Sequence, residues 1–144
     1  VYSIESPPPG VFARQTSASA AKWVDVVRHD SMGACVTALR EAGFQVLATA
    51  LGQESRPLHE WDLTRKVALV VGNEMRGVSE EALALADGSI EIPMVGMVQS
   101  LNVSVASAVC LYEAFRQRLA AGAYEMPALS PAELTSMEED WLNR

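Results

Sequence analysis

Apolar residues along this chain fall into short clusters of two different periods. Residues 1–4 and Trp23-Val24-Asp25-Val26-Val27 read as short strands, and Phe44-Gln45-Val46-Leu47-Ala48 as a third. Between the last two, Met32, Val36, Leu39 and Phe44 recur at helical spacing, with Asp30 or Ser31 as the cap and Gly43 as the stop. Residues 67–71 are apolar without alternation, which predicts a strand buried on both faces of a parallel sheet. Ser79 caps a further helix, with Glu80 and Glu81 in its first turn, Val78 and Leu83 at staple spacing, and Asp87-Gly88 after it. Residues 89–92 form another strand, closed by Pro93. Leu101, Val105, Ala108, Tyr112, Phe115 and Leu119 then make one apolar stripe, predicting a long helix that starts near residues 100–102 and stops at Gly122. Ser130-Pro131-Ala132-Glu133 is a capping box opening a short acidic helix through Trp141. Residues 7–10 form a loop, residues 16–22 are compatible with a helix, and residues 53–64 are polar with no predicted element. Strands alternating with helices predict an α/β fold with a mostly parallel sheet.

A length of 144 residues, 49% of them hydrophobic, suits one globular core that needs no disulfide or metal staple. Cys35 and Cys110 stand in no zinc or redox spacing, so no metal is expected and a reducing, cytoplasmic setting is the default. No apolar run is long enough to span a bilayer, so no membrane partner is expected. The net charge of −7 arises entirely after residue 78, because the first 78 residues balance eight basic against eight acidic side chains. Such acidity disfavours nonspecific polyanion binding, and any nucleic-acid surface should lie in the N-terminal half. Arg14, Lys22 and Arg28 are among the basic residues there.

Gly72-Asn73-Glu74-Met75-Arg76-Gly77 has the glycines of a phosphate loop but continues Val78-Ser79 where a Walker motif needs Lys-Ser/Thr. No G-x-G-x-x-G or G-x-S-x-G occurs, and His29 and His59 stand alone in sequence. Three loops remain, each expected at the carboxyl end of a strand where open α/β sheets bind ligands: residues 49–52, 72–77 and 93–99. Glycine backbone, apolar methionines and helix-start amides suit an adenosine better than a bare phosphate. The plain alternatives are an ordinary turn at residues 72–77, packing roles for Met94 and Met97, and simple capping by Ser100 and Asn102.

The string Val70-Val71-Gly72-Asn73-Glu74-Met75-Arg76-Gly77-Val78, then Ile90-Glu91-Ile92-Pro93-Met94, then Gln99-Ser100-Leu101-Asn102-Val103-Ser104-Val105-Ala106, resembles the second and third motifs of the SpoU/TrmH family of SPOUT RNA 2′-O-methyltransferases. Three pieces in order at short spacing make the match specific, and it extends from about Trp23 through Arg118. The stretch 82–118 is most similar to the branch that methylates a tRNA D-loop guanosine. The resemblance implies a deep trefoil knot near the C-terminus, S-adenosylmethionine as cofactor, and a homodimer packed through the knot and the long helix, so that the apolar stripe has a partner as well as a core to cover. It implies that Thr49, Leu51, Gly72, Asn73, Glu74, Gly77, Ile92, Met94, Met97, Ser100 and Leu101 surround the cofactor. Glu74, Ser100 and Asn102 match the family's functional polar positions and are the catalytic candidates. On this basis residues 1–122 form the methyltransferase domain, lacking its first motif, and residues 123–144 an acidic helical extension.

The family's first motif, with the Arg proposed to assist deprotonation of the ribose hydroxyl, has no counterpart here, and Arg14 does not sit in such a motif. Either the sequence starts downstream of that motif, the reading favoured by Val1 standing where Met is usual and by motifs two and three being intact, or the protein binds cofactor without methylating. The implied activity is methyl transfer to an RNA ribose 2′-OH, with a tRNA D-loop guanosine as substrate and Arg14, Lys22 and Arg28 as the candidates for RNA phosphate contacts. An rRNA-directed relative, a module that holds cofactor or RNA without turnover, and an unrelated nucleotide-binding domain are the alternatives.

Overall fold

The computed structural model describes residues 25, 27–52, 54–73, 76–97 and 100–143. The strand expected over residues 1–4, the loop at 7–10, the helix-compatible 16–22 and most of 23–27 lie outside them. Asp25 and Val27, the two described residues of that last segment, are in no strand.

Helix α1 spans Met32–Glu41, and Ser31 is its cap, its Oγ accepting from the Ala34 amide at 3.1 Å. Gly43 follows at φ 81, a left-handed turn that favours glycine and carries Phe44 out of the helix. Strand β1 (Gln45–Thr49) is the most buried strand, Val46 and Ala48 facing one side and Leu47 the other. Strands β2 (Ser55–Pro57), β3 (Val67–Val70) and β4 (Gly88–Glu91) complete a four-stranded, all-parallel sheet in the order β2-β4-β1-β3. Helix α2 covers Glu80–Leu85 under the Ser79 cap, α3 Val103–Ala120 under the Asn102 cap, and α4 Pro131–Asn143. The chain is thus α/β, with α1 and α2 on one face of the sheet and α3 on the other.

Two apolar clusters follow from the period of two along the strands. Val36, Val46, Ala48, Val70 and Ala82 form the core beneath α1 and α2. Leu47, Leu58, Leu63, Ile90 and Cys110 form the core beneath α3, where burial also pushes the Cys110 thiol up. Asp87 ties the first core to the sheet. Its backbone amide donates to the Val46 carbonyl and its carboxylate accepts from the Val46 amide, both at 2.7 Å, while Arg40 from α1 reaches the same carboxylate at 2.6 Å. Burial raises this carboxyl, but the Val46 amide and the Arg40 guanidinium outweigh it and hold the group below the usual aspartate range.

Three expectations are corrected. Residues 53–64, read as element-free, contain β2 and a 3₁₀ turn at Leu58–Glu60, because Leu58 and Leu63 supply apolar anchors too widely spaced to show a period. Strand β3 is not buried on both faces: Val67, Ala68 and Leu69 are half-buried, and β3 is at one end of the described sheet. The stripe on α3 does not face the core. Leu101, Val105, Tyr112, Phe115 and Leu119 are exposed, and the opposite side of the helix, Cys110 with Ala114, Gln117 and Arg118, packs inward. Polar side chains serve there as anchors. Gln117 accepts from the Leu63 amide at 2.8 Å and donates to the Trp61 carbonyl at 3.0 Å, and Arg118 donates to the carbonyls of Leu63 and Arg65. Beside them, Arg116 and then Gln117 hydrogen-bond the Glu113 carboxyl and lower it to about 2.

Candidate active site

Three strands end at the same edge of the sheet. Register pairs Ala48 with Val70 and Thr49 with Ile90, so the segments after β1, β3 and β4 emerge side by side. The Thr49 hydroxyl donates to the Val70 carbonyl at 3.2 Å and fastens the first two exits together. After β3 the chain doubles back: Asn73 and Gly77 exchange backbone hydrogen bonds of 3.0 and 2.7 Å, closing a small loop that returns into the cap of α2. Gly72 is where this loop folds on itself. A Cβ there would stand 2.0 Å from the Gly77 carbonyl carbon and 2.2 Å from the Val78 nitrogen, so only glycine allows the closure.

The loops enclose a cavity of about 430 Å³. Nine of the expected cofactor residues line it: Thr49, Leu51, Gly72, Asn73, Gly77, Ile92, Met94, Ser100 and Leu101. Glu74, expected both at the cofactor and in catalysis, lies outside the described residues, as do Arg14 and Lys22. Met97 does not line the cavity. Its side chain is fully exposed, carried outward by the turn at Gly96 with φ 129. Asn102 does not line it either; its Oδ1 accepts from the Ser104 amide at 2.9 Å as the cap of α3. Arg28 is exposed on the segment leading into α1.

The matches to known proteins agree in kind. The profile of the SpoU rRNA Methylase family matches residues 6–112. The chain belongs to this family. A tRNA (guanosine(18)-2′-O)-methyltransferase of Thermus thermophilus is 52% identical over 130 residues, covering 90% of this chain and 67% of the relative. The A. aeolicus TrmH/SpoU tRNA modifying enzyme superposes with a TM-score of 0.80 at 43% identity, over 89% of this chain and 65% of that one. The SpoU methyltransferase AviRb from Streptomyces viridochromogenes, solved in complex with AdoMet, gives a TM-score of 0.66 at 32% identity, over 74% of this chain and 44% of that one. The chain therefore spans about two thirds or less of these relatives' own lengths.

The cavity has the chemistry an adenosyl group requires. Its walls are mostly apolar, from Val71, Val78, Leu83, Ile90, Val103 and Ala106 besides those expected, and its volume falls in the range of small-molecule pockets, ~300–1,000 Å³. Thr49, Asn73 and Ser100 add polar side chains to this lining. Among the described lining residues only Arg76 and Glu91 carry charge. Sequence reasoning places Arg76 in a loop expected at the site without singling it out, reads Glu91 only as part of a strand, and misses Val78, Leu83, Val103 and Ala106 because staple and helix-start positions read as packing. Among the described residues no helix is long and apolar enough to cross a membrane.

Proposed function

We propose that this chain carries out S-adenosylmethionine-dependent methyl transfer to a ribose 2′-OH of RNA, with a D-loop guanosine of tRNA as the target. The observation carrying this reading is the convergence of the three loops on one apolar cavity at the carboxyl edge of a parallel sheet. The tRNA substrate is favoured over rRNA by the Thermus relative, which is named for guanosine 18 of tRNA and is similar over nine tenths of this chain. A substrate of this kind agrees with the cytoplasmic setting expected from the cysteines.

When bound, S-adenosylmethionine would supply an electrophilic methyl group on a sulfonium whose sulfur can leave as a neutral thioether. The chain's own part is placement. Val71, Ile92, Met94 and Leu101 exclude water from the adenosyl group, and the loop closed at Gly72 holds the cofactor edge rigid. Ser100, on the cavity wall, contacts cofactor or ribose. Glu74 and Asn102 orient the hydroxyl, Asn102 through a side chain whose rotamer the α3 cap already fixes. Arg14, Lys22 and Arg28 contact RNA phosphates.

A trefoil knot and a homodimer belong to the same reading. Strand β4, fourth in sequence, is inserted between β2 and β1, and the chain leaving it lines the same cavity as the loop after β3, an arrangement that supports this reading. The exposed α3 stripe borders a groove of about 710 Å³ that also includes Leu58, Ile92 and Pro93. An apolar surface of this size on a small domain favours a second copy of the chain as its cover. Residues 1–122 act as the catalytic domain, and residues 123–144, with no buried residue in α4, as an extension.

Titration calorimetry with S-adenosylmethionine, followed by labelled-methyl incorporation into tRNA transcripts with and without guanosine at position 18, tests the proposal. Cofactor binding and guanosine-dependent labelling are expected. Absence of binding at millimolar cofactor would overturn it, labelling of rRNA alone would transfer the activity to the other substrate, and binding without labelling would leave a cofactor-holding module.

A further inference from the structure

The cavity poses a charge problem that its apolar walls cannot solve. A zwitterionic or ionic group placed against Val71, Leu83 or Ile92 would lose its hydration without compensation, so any charged part of a ligand must sit where opposite charges already stand. Among the described lining residues those are Arg76 and Glu91. They come from two different loops. Arg76 sits in the loop whose ends are pinned by the reciprocal Asn73 and Gly77 backbone bonds, and Glu91 is the last residue of β4, held in register opposite Pro57. Arg76 is also exposed, which places it at the rim of the cavity and not among its apolar walls.

We propose that Arg76 and Glu91 recognise the amino-acid tail of the methyl donor, Arg76 taking its carboxylate and Glu91 its ammonium. This rests on the reading that the cavity holds S-adenosylmethionine, and adds to it the polarity of the ligand: adenosyl group inward among the apolar walls, tail outward between two opposite charges. Guanidinium suits the task because its planar fork matches a carboxylate with two parallel donors.

The test compares two neutral thioethers that differ only in the tail, S-adenosylhomocysteine and 5′-methylthioadenosine, by calorimetry on the chain and on Arg76→Gln, Arg76→Lys and Glu91→Gln. The unsubstituted chain is expected to prefer S-adenosylhomocysteine by about tenfold or more. Arg76→Gln should remove most of that preference while its affinity for methylthioadenosine stays unchanged, Arg76→Lys should restore part of it, and Glu91→Gln should lower it. Equal binding of both thioethers by the unsubstituted chain, or a preference that survives in Arg76→Gln and Glu91→Gln, overturns this inference and leaves the cofactor assignment standing. An equal fall in affinity for both thioethers would make the two residues structural, and a rise in the KM for tRNA with cofactor affinity unchanged would assign Arg76 to an RNA phosphate; either also overturns it. Binding of neither thioether by the unsubstituted chain removes the cofactor reading itself.

Discussion

Replacing Gly72 with alanine separates closure of the loop after β3 from the stability of the fold. The added Cβ would lie 2.0 to 2.3 Å from three backbone atoms of Gly77 and Val78, none of which can rotate away as a side chain would. Restoring van der Waals distance requires residues 72 and 77–78 to part by roughly 1.5 Å. A displacement of that size breaks the reciprocal Asn73 and Gly77 bonds, now 3.0 and 2.7 Å. Two net backbone hydrogen bonds are worth about 2 kcal/mol, or about a thirtyfold loss in affinity for a ligand that needs the closed loop. Gly77→Ala is the graded comparison: nothing lies within 4 Å of its Cβ, but the residue sits at φ 68, so the cost is conformational strain of about 1 kcal/mol. Gly52→Ala, whose nearest contact is Ser55 Oγ at 3.9 Å, should be nearly neutral. Calorimetry with S-adenosylmethionine, paired with thermal unfolding, reads the series. The expected order of affinity is Gly52→Ala, Gly77→Ala, Gly72→Ala, with the loss at Gly72 exceeding any change in melting temperature. Binding by Gly72→Ala within twofold of the unsubstituted chain would refute the claim that the closed loop forms the cofactor wall.

Asp87→Ala orphans the Val46 amide and releases Arg40, and should destabilise by about 1–3 kcal/mol in urea unfolding. Because its folded carboxyl is held low, this stabilisation is complete above the ordinary aspartate value of about 3.9 and is lost as pH falls through the folded one. Asp87→Asn should therefore flatten the acid limb of the stability profile, and an unchanged limb would count against the linkage. Gln117→Ala leaves the Leu63 amide and Trp61 carbonyl unpaired at the α3 contact, predicting a loss of about 1–3 kcal/mol, whereas Gln117→Glu keeps the acceptor for Leu63 and should lose less; equal losses would contradict the assignment. Tyr112→Glu and Phe115→Glu place charge on the exposed α3 face, and sedimentation equilibrium should show a dimer becoming a folded monomer; a variant that stays dimeric would exclude that face.

The elements nearest the site were the most legible in the chain. Ser31, Ser79, Asn102 and Ser130 each cap the helix they were expected to start, since a hydroxyl or amide before an apolar-periodic run serves local backbone amides whatever the tertiary context. The apolar run at residues 67–71 marked a strand correctly, yet burial is a property of neighbours and not of the run, and Val67 to Leu69 are half-exposed at the end of the described sheet. Strand β2 escaped notice because Ser55, Arg56 and Pro57 have no strand propensity; pairing with β4 places them, an interaction no local pattern encodes. Likewise, proximity in space brought Arg76 and Glu91 to one cavity although fourteen intervening residues carry a whole helix.

The long helix shows why periodicity locates a surface without naming what covers it. An apolar stripe at Leu101, Val105, Tyr112, Phe115 and Leu119 and a mixed stripe through Val103, Cys110, Ala114 and Gln117 are both compatible with burial. Burial of the mixed stripe wins within one chain because its small residues allow close approach to Leu47 and Ile90, and because Gln117 and Arg118 satisfy backbone groups of residues 61–65 that would otherwise be orphaned. Bulky Tyr112 and Phe115 turned inward could not fill those roles: neither can donate to two carbonyls and accept from an amide in one contact. The aromatic stripe is then left outside, where Tyr112, Phe115 and Tyr124 stack on one another with ring centroids 6.1 and 5.5 Å apart, a preformed apolar ridge. Since the same helix begins at the cavity wall with Leu101 and Val103, any partner that covers the ridge also fixes the angle at which α3 enters the site. Dimer-breaking substitutions at Phe115 should therefore weaken S-adenosylmethionine binding although that residue does not line the cavity, and undiminished affinity in a proven monomer would show the two surfaces to be independent.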